Sequence, residues 1–190
     1  MRSTAFRECP GIINSSFLKE EIAPHHQNKN EDIIIDFEIL TDEISSLIGL
    51  ALSYLTPQQS LRFKESLLFI SELSYHASTA LRISNTITQS EIQKLETLLT
   101  TLETEIAPNH KKIILPQGST ASATCHIIRT KCNVALRLLH KYNDANPQHQ
   151  VDPLCLDMFN LSSGYFLYLA IKLNMLNNVE EVEFKSRLIR

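Results

Sequence analysis

Residues 113–137 read IILPQGSTASATCHIIRTKCNVALR, and this stretch decides the fold. The Leu115-Pro116 step and the Gly118 turn lead into small residues that open a long helix, expected over about 119–142. Ser122, His126, Arg129, Asn133 and Arg137 recur on it at three- and four-residue steps and share one stripe. Ile127, Val134, Ala135 and Leu138 share another. By spacing alone the polar stripe reads as a solvated face of an amphipathic helix.

Working outward, helical signals recur. Phe37, Leu40, Ile44, Leu47, Ile48 and Ala51 form one apolar stripe, which predicts a first helix over about 35–54. Thr56-Pro57-Gln58-Gln59 has the form of a capping box with proline at the first helical position. It predicts a second helix to about residue 83, with Leu61, Leu68, Leu73 and Ala80 turned inward. Thr88 with Glu91 predicts the start of a third helix, carrying Ile92, Leu95, Leu99, Leu102 and Ile106 and ending near Pro108. Asp152-Pro153 supplies a cap and a first-turn proline for a fifth, to about residue 177. Ile33-Ile34-Ile35 is too short to build a sheet. The expectation is an all-α, five-helix antiparallel bundle over 33–190, preceded by a loosely ordered arm over 1–32.

Composition narrows the function classes. A 190-residue chain fits one domain with a proper core. A net charge of −3 without a basic cluster argues against nucleic acid. No apolar run approaches the ~20 residues of a membrane span, and the N-terminus lacks a secretory apolar segment, so the cytoplasm is expected. Cys9, Cys125, Cys132 and Cys155 form no C-x-x-C pair, so no metal site of the usual spacing is expected. They read as small packing residues in a reducing compartment.

Residues 113–137 resemble the signature of the corrinoid (cobalamin) adenosyltransferases of the propanediol-utilisation (PduO) type. There an F-I-L-P-G-G-like turn precedes a helix reading roughly L-H-x-x-R-T/A-x-x-R-R-A-E-R. Leu115, Pro116, Gly118, Ser119, His126, Arg129, Thr130 and Arg137 match. Residues 40–49, LTDEISSLIG, are similar to the family's G-T-x-D-E-L-x-S/A-x-I/L-G, and residues 158–166, MFNLSSGYF, to its F-L-N-R-L-S-D-Y-L-F. The resemblance implies a homotrimer that binds ATP with Mg2+ and a reduced corrinoid, cob(I)alamin. It would move the 5′-deoxyadenosyl group to cobalt and release triphosphate. A reductase supplying the cob(I) state, or an enzyme accepting the product, would be its partner.

Site residues follow by position. Arg129 would contact the triphosphate and Asp42 would orient it through an ion pair. Asn160 would help hold the nucleotide, joined by Ser163 and by Lys112 near the turn. Ile113 stands where the family has an aromatic residue against the corrin.

The departures bear equally on function. No T-R-x-G-D-x-G-like triphosphate loop precedes Asp42, and the family's second helix arginine is Asn133 here. The arginine after it is Val134, the acidic residue is Leu136, and Gly164 replaces an aspartate. Charge-assisted hydrogen bonds are worth roughly 1.5–3 kcal/mol each. Three lost ones imply weakened activity. The alternatives are a non-catalytic corrinoid carrier or trimeric interaction protein, and an enzyme whose arm grips ATP through Lys19, Lys29 or His25.

Overall fold

Polar and proline signals start the helices. The computed structural model describes residues 29–106 and 113–187. Its helices are α1 (Lys29–Ser53), α2 (Pro57–Ser78), α3 (Gln89–Ile106), α4 (Thr120–Ala145) and α5 (Pro153–Leu176). Thr56 and Gln59 close a reciprocal capping box ahead of α2. Thr88 and Glu91 do the same for α3, and those bonds hold the Glu91 carboxyl below its usual range. Ser119 caps α4 and Asp152 caps α5.

Two boundaries differ from the sequence reading. Helix α1 begins at Lys29, not near residue 35, with Glu31 and Asp32 in a first turn where negative charge is favoured. Six residues expected in or beside the arm are therefore helical. Helix α2 stops at Ser78, capped by Thr79, not near residue 83. Its buried face is Phe63, Leu67, Ile70, Leu73 and Ala77, whereas Leu61 and Leu68 are exposed. Those two lie seven apart, on the side of α2 away from the bundle.

Four helices pack as a ring, with α3 against the outside of α5. Helix α2 lies on α1, α1 on α4, α4 on α5, and α5 on α3, with a light α2–α5 contact closing it. Phe37 meets Phe159 edge-on across the centre. The buried Tyr165 hydroxyl meets Ser66 at 2.6 Å, joining α5 to α2. Helix α5 alone among the described residues has the length and hydropathy of a membrane span, and half of that window is buried in this core. Cys125, Cys132 and Cys155 are buried free thiols, each pushed up to about 12 by desolvation. These three are packing residues, as read from sequence; Cys9 lies outside the described residues.

Gly164 marks a close approach of α5 to α3. An added Cβ would sit 3.2 Å from a Leu99 methyl. Leu99 is only half-buried and its methyls can yield. Alanine also gains about 1 kcal/mol of helix propensity over glycine. Gly164→Ala should therefore raise the melting temperature slightly; a drop of several degrees in a thermal melt would show Leu99 to be fixed.

Candidate functional site

The entry to α4 is held from the far end of α5. Gly118 has φ +142°, a conformation that glycine adopts without strain. The fully buried Asn174 clamps the turn around it. Its Oδ1 accepts from the Ser119 N–H at 3.1 Å, and its Nδ2 donates to the Gln117 carbonyl at 3.1 Å. A Cβ on Gly118 would overlap that carboxamide.

Past α5 the chain doubles back. Asn178 takes φ +51°, and the Val179 N–H donates to the Asn174 carbonyl. Residues 179–184 then cross the turn as a strap. Leu115 N–H donates to the Val182 carbonyl at 2.8 Å, and Phe184 N–H to the Ile113 carbonyl at 2.7 Å. Ile114 and Glu183 form the antiparallel bridge between them.

The first half of the α4 polar stripe is not solvated. Ser122 is fully buried and His126 is 4% exposed. The Ser122 hydroxyl, both His126 ring nitrogens and the Arg129 Nε are buried without hydrogen-bond partners among the described residues. An unmet buried polar group costs about 1–3 kcal/mol, so the stripe is held at a loss in the chain alone. Burial pushes the His126 pKa down, Arg129 pushes it the same way, and Glu181 of the strap opposes both. His126 is therefore neutral near pH 7.

The expected pair of Asp42 with Arg129 is not formed within the chain. Asp42 is exposed and accepts from the Tyr75 hydroxyl of α2 at 2.6 Å. That bond raises the Tyr75 pKa. One turn earlier, Glu38 binds Arg82, so this flank of α1 faces the α2 side. The neighbouring Glu43 reaches α4 instead, at Lys131 (2.6 Å). Arg129 lies on another flank of α4, towards α5, where its carbonyl accepts a long 3.5 Å bond from Ser163. Helix geometry separates the two residues: steps of one position turn a side chain by about 100°.

Arg129 is half-buried and makes no ion pair among the described residues. A cation so placed suits an anionic ligand. Ser163 donates to Asn133 Oδ1 at 2.9 Å, which commits its proton to α4. Asn160 is exposed one turn earlier on α5 than Ser163, which meets Asn133 of α4. Ile113 is 71% exposed on the turn. Lys112, Lys19 and His25 lie outside the described residues, and of Lys29 only the backbone is described. Asn174 and Glu181 escaped the sequence reading. A buried asparagine among Leu169, Ala170 and Leu173 was the available signal for the first. No local pattern marks the second.

A five-helix bundle carries, among the described residues, an arginine without an ion pair on the helix that a clamped glycine turn begins. Residues 24–173 match the family model described as cobalamin adenosyltransferase. The corrinoid adenosyltransferase of Bacillus subtilis (strain 168) is 30% identical over 154 residues, covering 78% of each chain. Among solved structures, a variant PduO-type ATP:corrinoid adenosyltransferase from Lactobacillus reuteri complexed with ATP superposes with TM-score 0.70. The match is 22% identical and covers 80% of this chain and 87% of that one. A second variant of that enzyme, complexed with cobalamin and ATP, gives TM-score 0.71 at 22% identity, over 81% and 87%. The chain belongs to the cobalamin adenosyltransferase family, and its bundle is the fold of the PduO-type enzymes.

Proposed function

We propose that this chain transfers the 5′-deoxyadenosyl group of ATP to the cobalt of a reduced corrinoid, with a weakened grip on ATP. The electron pair of cob(I) attacks C5′, the C5′–O bond breaks, and triphosphate leaves with that bond's electrons. Cobalt ends two electrons more oxidised, as Co(III). The corrin supplies the nucleophile; the chain has to bind, orient and neutralise the leaving group. Magnesium arrives on the triphosphate. The observation that carries this reading is Arg129, a half-buried guanidinium without an ion pair among the described residues, in a chain of this family. Asn160 stands exposed on α5 for the nucleotide, and Ile113 offers an exposed apolar side chain to a corrin face. Ser163 has given its proton to Asn133 and serves the site only as an acceptor.

The working form is a homotrimer, in the cytoplasm, supplied with cob(I) corrinoid by a reductase. Ile39 and Leu50 of α1 are exposed on one line, as are Ile127 and Val134 of α4. The Glu43–Lys131 pair brings the two lines together as one outer face. Such a patch favours association. Asp42 stands at the edge of that face, so its pairing with Arg129 would run between copies. Sedimentation should give three copies per particle; a stable monomer would overturn the trimer and the pairing together.

Two measurements test the chemistry. Calorimetry with MgATP should show binding. Chemically reduced cob(I)alamin with MgATP should then yield the cobalt–carbon bond, followed by its absorbance. Corrinoid binding without bond formation would favour the carrier reading, and failure to bind either ligand would leave an interaction role.

A further inference from the structure

We propose that Ser122 and His126 act with Arg129 as one run of donors for phosphate oxygens, kept dry by the strap of residues 179–184. The inference rests on the nucleotide reading above and extends it to two residues and a segment that reading does not use. The three side chains stand four and then three residues apart on one face of α4, spanning ~10 Å of helix axis. Four of their polar atoms are buried without partners among the described residues. Buried polar groups are normally satisfied, so a row of unmet ones points to a ligand that meets them.

The donor chemistry selects the ligand. A serine hydroxyl, the single N–H of a neutral imidazole and a guanidinium Nε–H can each donate, the second ring nitrogen being an acceptor left to another donor, and only the guanidinium carries charge. That suits phosphate oxygens, which are acceptors and are matched in charge by Arg129. It does not suit a metal ion, which Arg129 repels. The strap is tied to the turn by two backbone hydrogen bonds, and residues 182–184 are exposed. Exposed segments outside the helices belong to the parts of a fold that open locally. Opening it would also carry the Glu181 carboxylate away from the arriving anion.

The test sets stability against binding. In a Ser122→Ala/His126→Leu variant both unmet groups are replaced by apolar ones. The expected result is a melting temperature raised by several degrees, MgATP affinity lowered tenfold or more, and adenosine affinity unchanged. Ser122→Ala alone, the smaller change, should weaken MgATP several-fold with the same rise in sign. A purely structural role predicts the reverse, a lower melting temperature with binding falling only as the fold loosens. Unchanged MgATP affinity, equal weakening of adenosine, or a lowered melting temperature in both variants would each overturn the proposal. Failure of the unmutated chain to bind MgATP overturns the nucleotide reading and this inference together. Equal MgATP binding by both chains overturns only the inference.

Discussion

Gly118→Ala is expected to destabilise the protein by about 3–4 kcal/mol, lowering the melting temperature by roughly 10 °C. Two effects add. The +142° φ of Gly118 is a conformation in which an L-residue is strained. Its new Cβ would also overlap the Asn174 carboxamide, which is fully buried and cannot swing into solvent. Pushing that carboxamide aside unmakes the bonds to Ser119 N–H and the Gln117 carbonyl. Asn174→Ala alone should cost about 2 kcal/mol through the same two bonds. The double variant should cost less than the sum, because the alanine methyl then enters space that the carboxamide has left. Strict additivity in denaturant titrations would mean that Asn174 does not clamp the turn. Activity should fall with Gly118→Ala too, since the turn sets where α4 starts and hence where Arg129 stands.

The clamp shows where sequence reading ends. Helix starts were legible because they are local. Thr56-Pro57-Gln58-Gln59, Thr88 with Glu91 and Asp152-Pro153 each satisfy their own helix's first amides, whatever the rest of the chain does. The start of α1 was not legible, because the polar residues from Lys29 to Glu31 look like linker and their helix is extended from the packed stripe behind it. Helix α2 shows the limit of counting leucines. Leu61 and Leu68 fit a helical period as well as Leu73 does, and only the placement of α1 and α5 decides which face is covered.

The site divides in the same way. The position of Arg129 on α4 follows from local spacing and from the family motif. Arg129 has no ion-pair partner among the described residues because the flank of α1 that meets α4 brings Glu43, not Asp42, and Glu43 pairs with Lys131 on a different flank of α4. The buried state of Ser122 and His126 is set by how α4 packs in the bundle, and the Glu181 carboxylate that acts on His126 comes from more than fifty residues away in sequence. A polar stripe next to an exposed one has the same signature in sequence whether it is wet or dry.

Arg129→Ala is expected to raise the apparent KM for ATP by about 30- to 100-fold, the equivalent of about 2–3 kcal/mol for a lost charge-assisted contact. The stability of the single chain should change little, because the guanidinium makes no ion pair among the described residues; only the pairing with Asp42 proposed between copies would be lost. That separation of effects distinguishes a ligand-binding arginine from a structural one. The unmutated chain should itself show a high KM, since Asn133 stands where the family has a second arginine and its amide is engaged with Ser163. Asn133→Arg would set a second guanidinium one turn from Arg129 on the same stripe. Without ligand the two cations repel; with triphosphate they act together. The variant should therefore lower KM by about tenfold while losing some stability from the repulsion and the vacated Ser163 bond. It should not restore the full grip, because the family's triphosphate loop has no counterpart before Asp42 and no helix substitution replaces it. The measurement is initial rate against MgATP at saturating cob(I)alamin for the three chains. Efficient turnover of the unmutated chain at low ATP would overturn the weak-grip argument and point to the N-terminal arm. Deleting residues 1–28, ahead of α1, should then abolish that turnover.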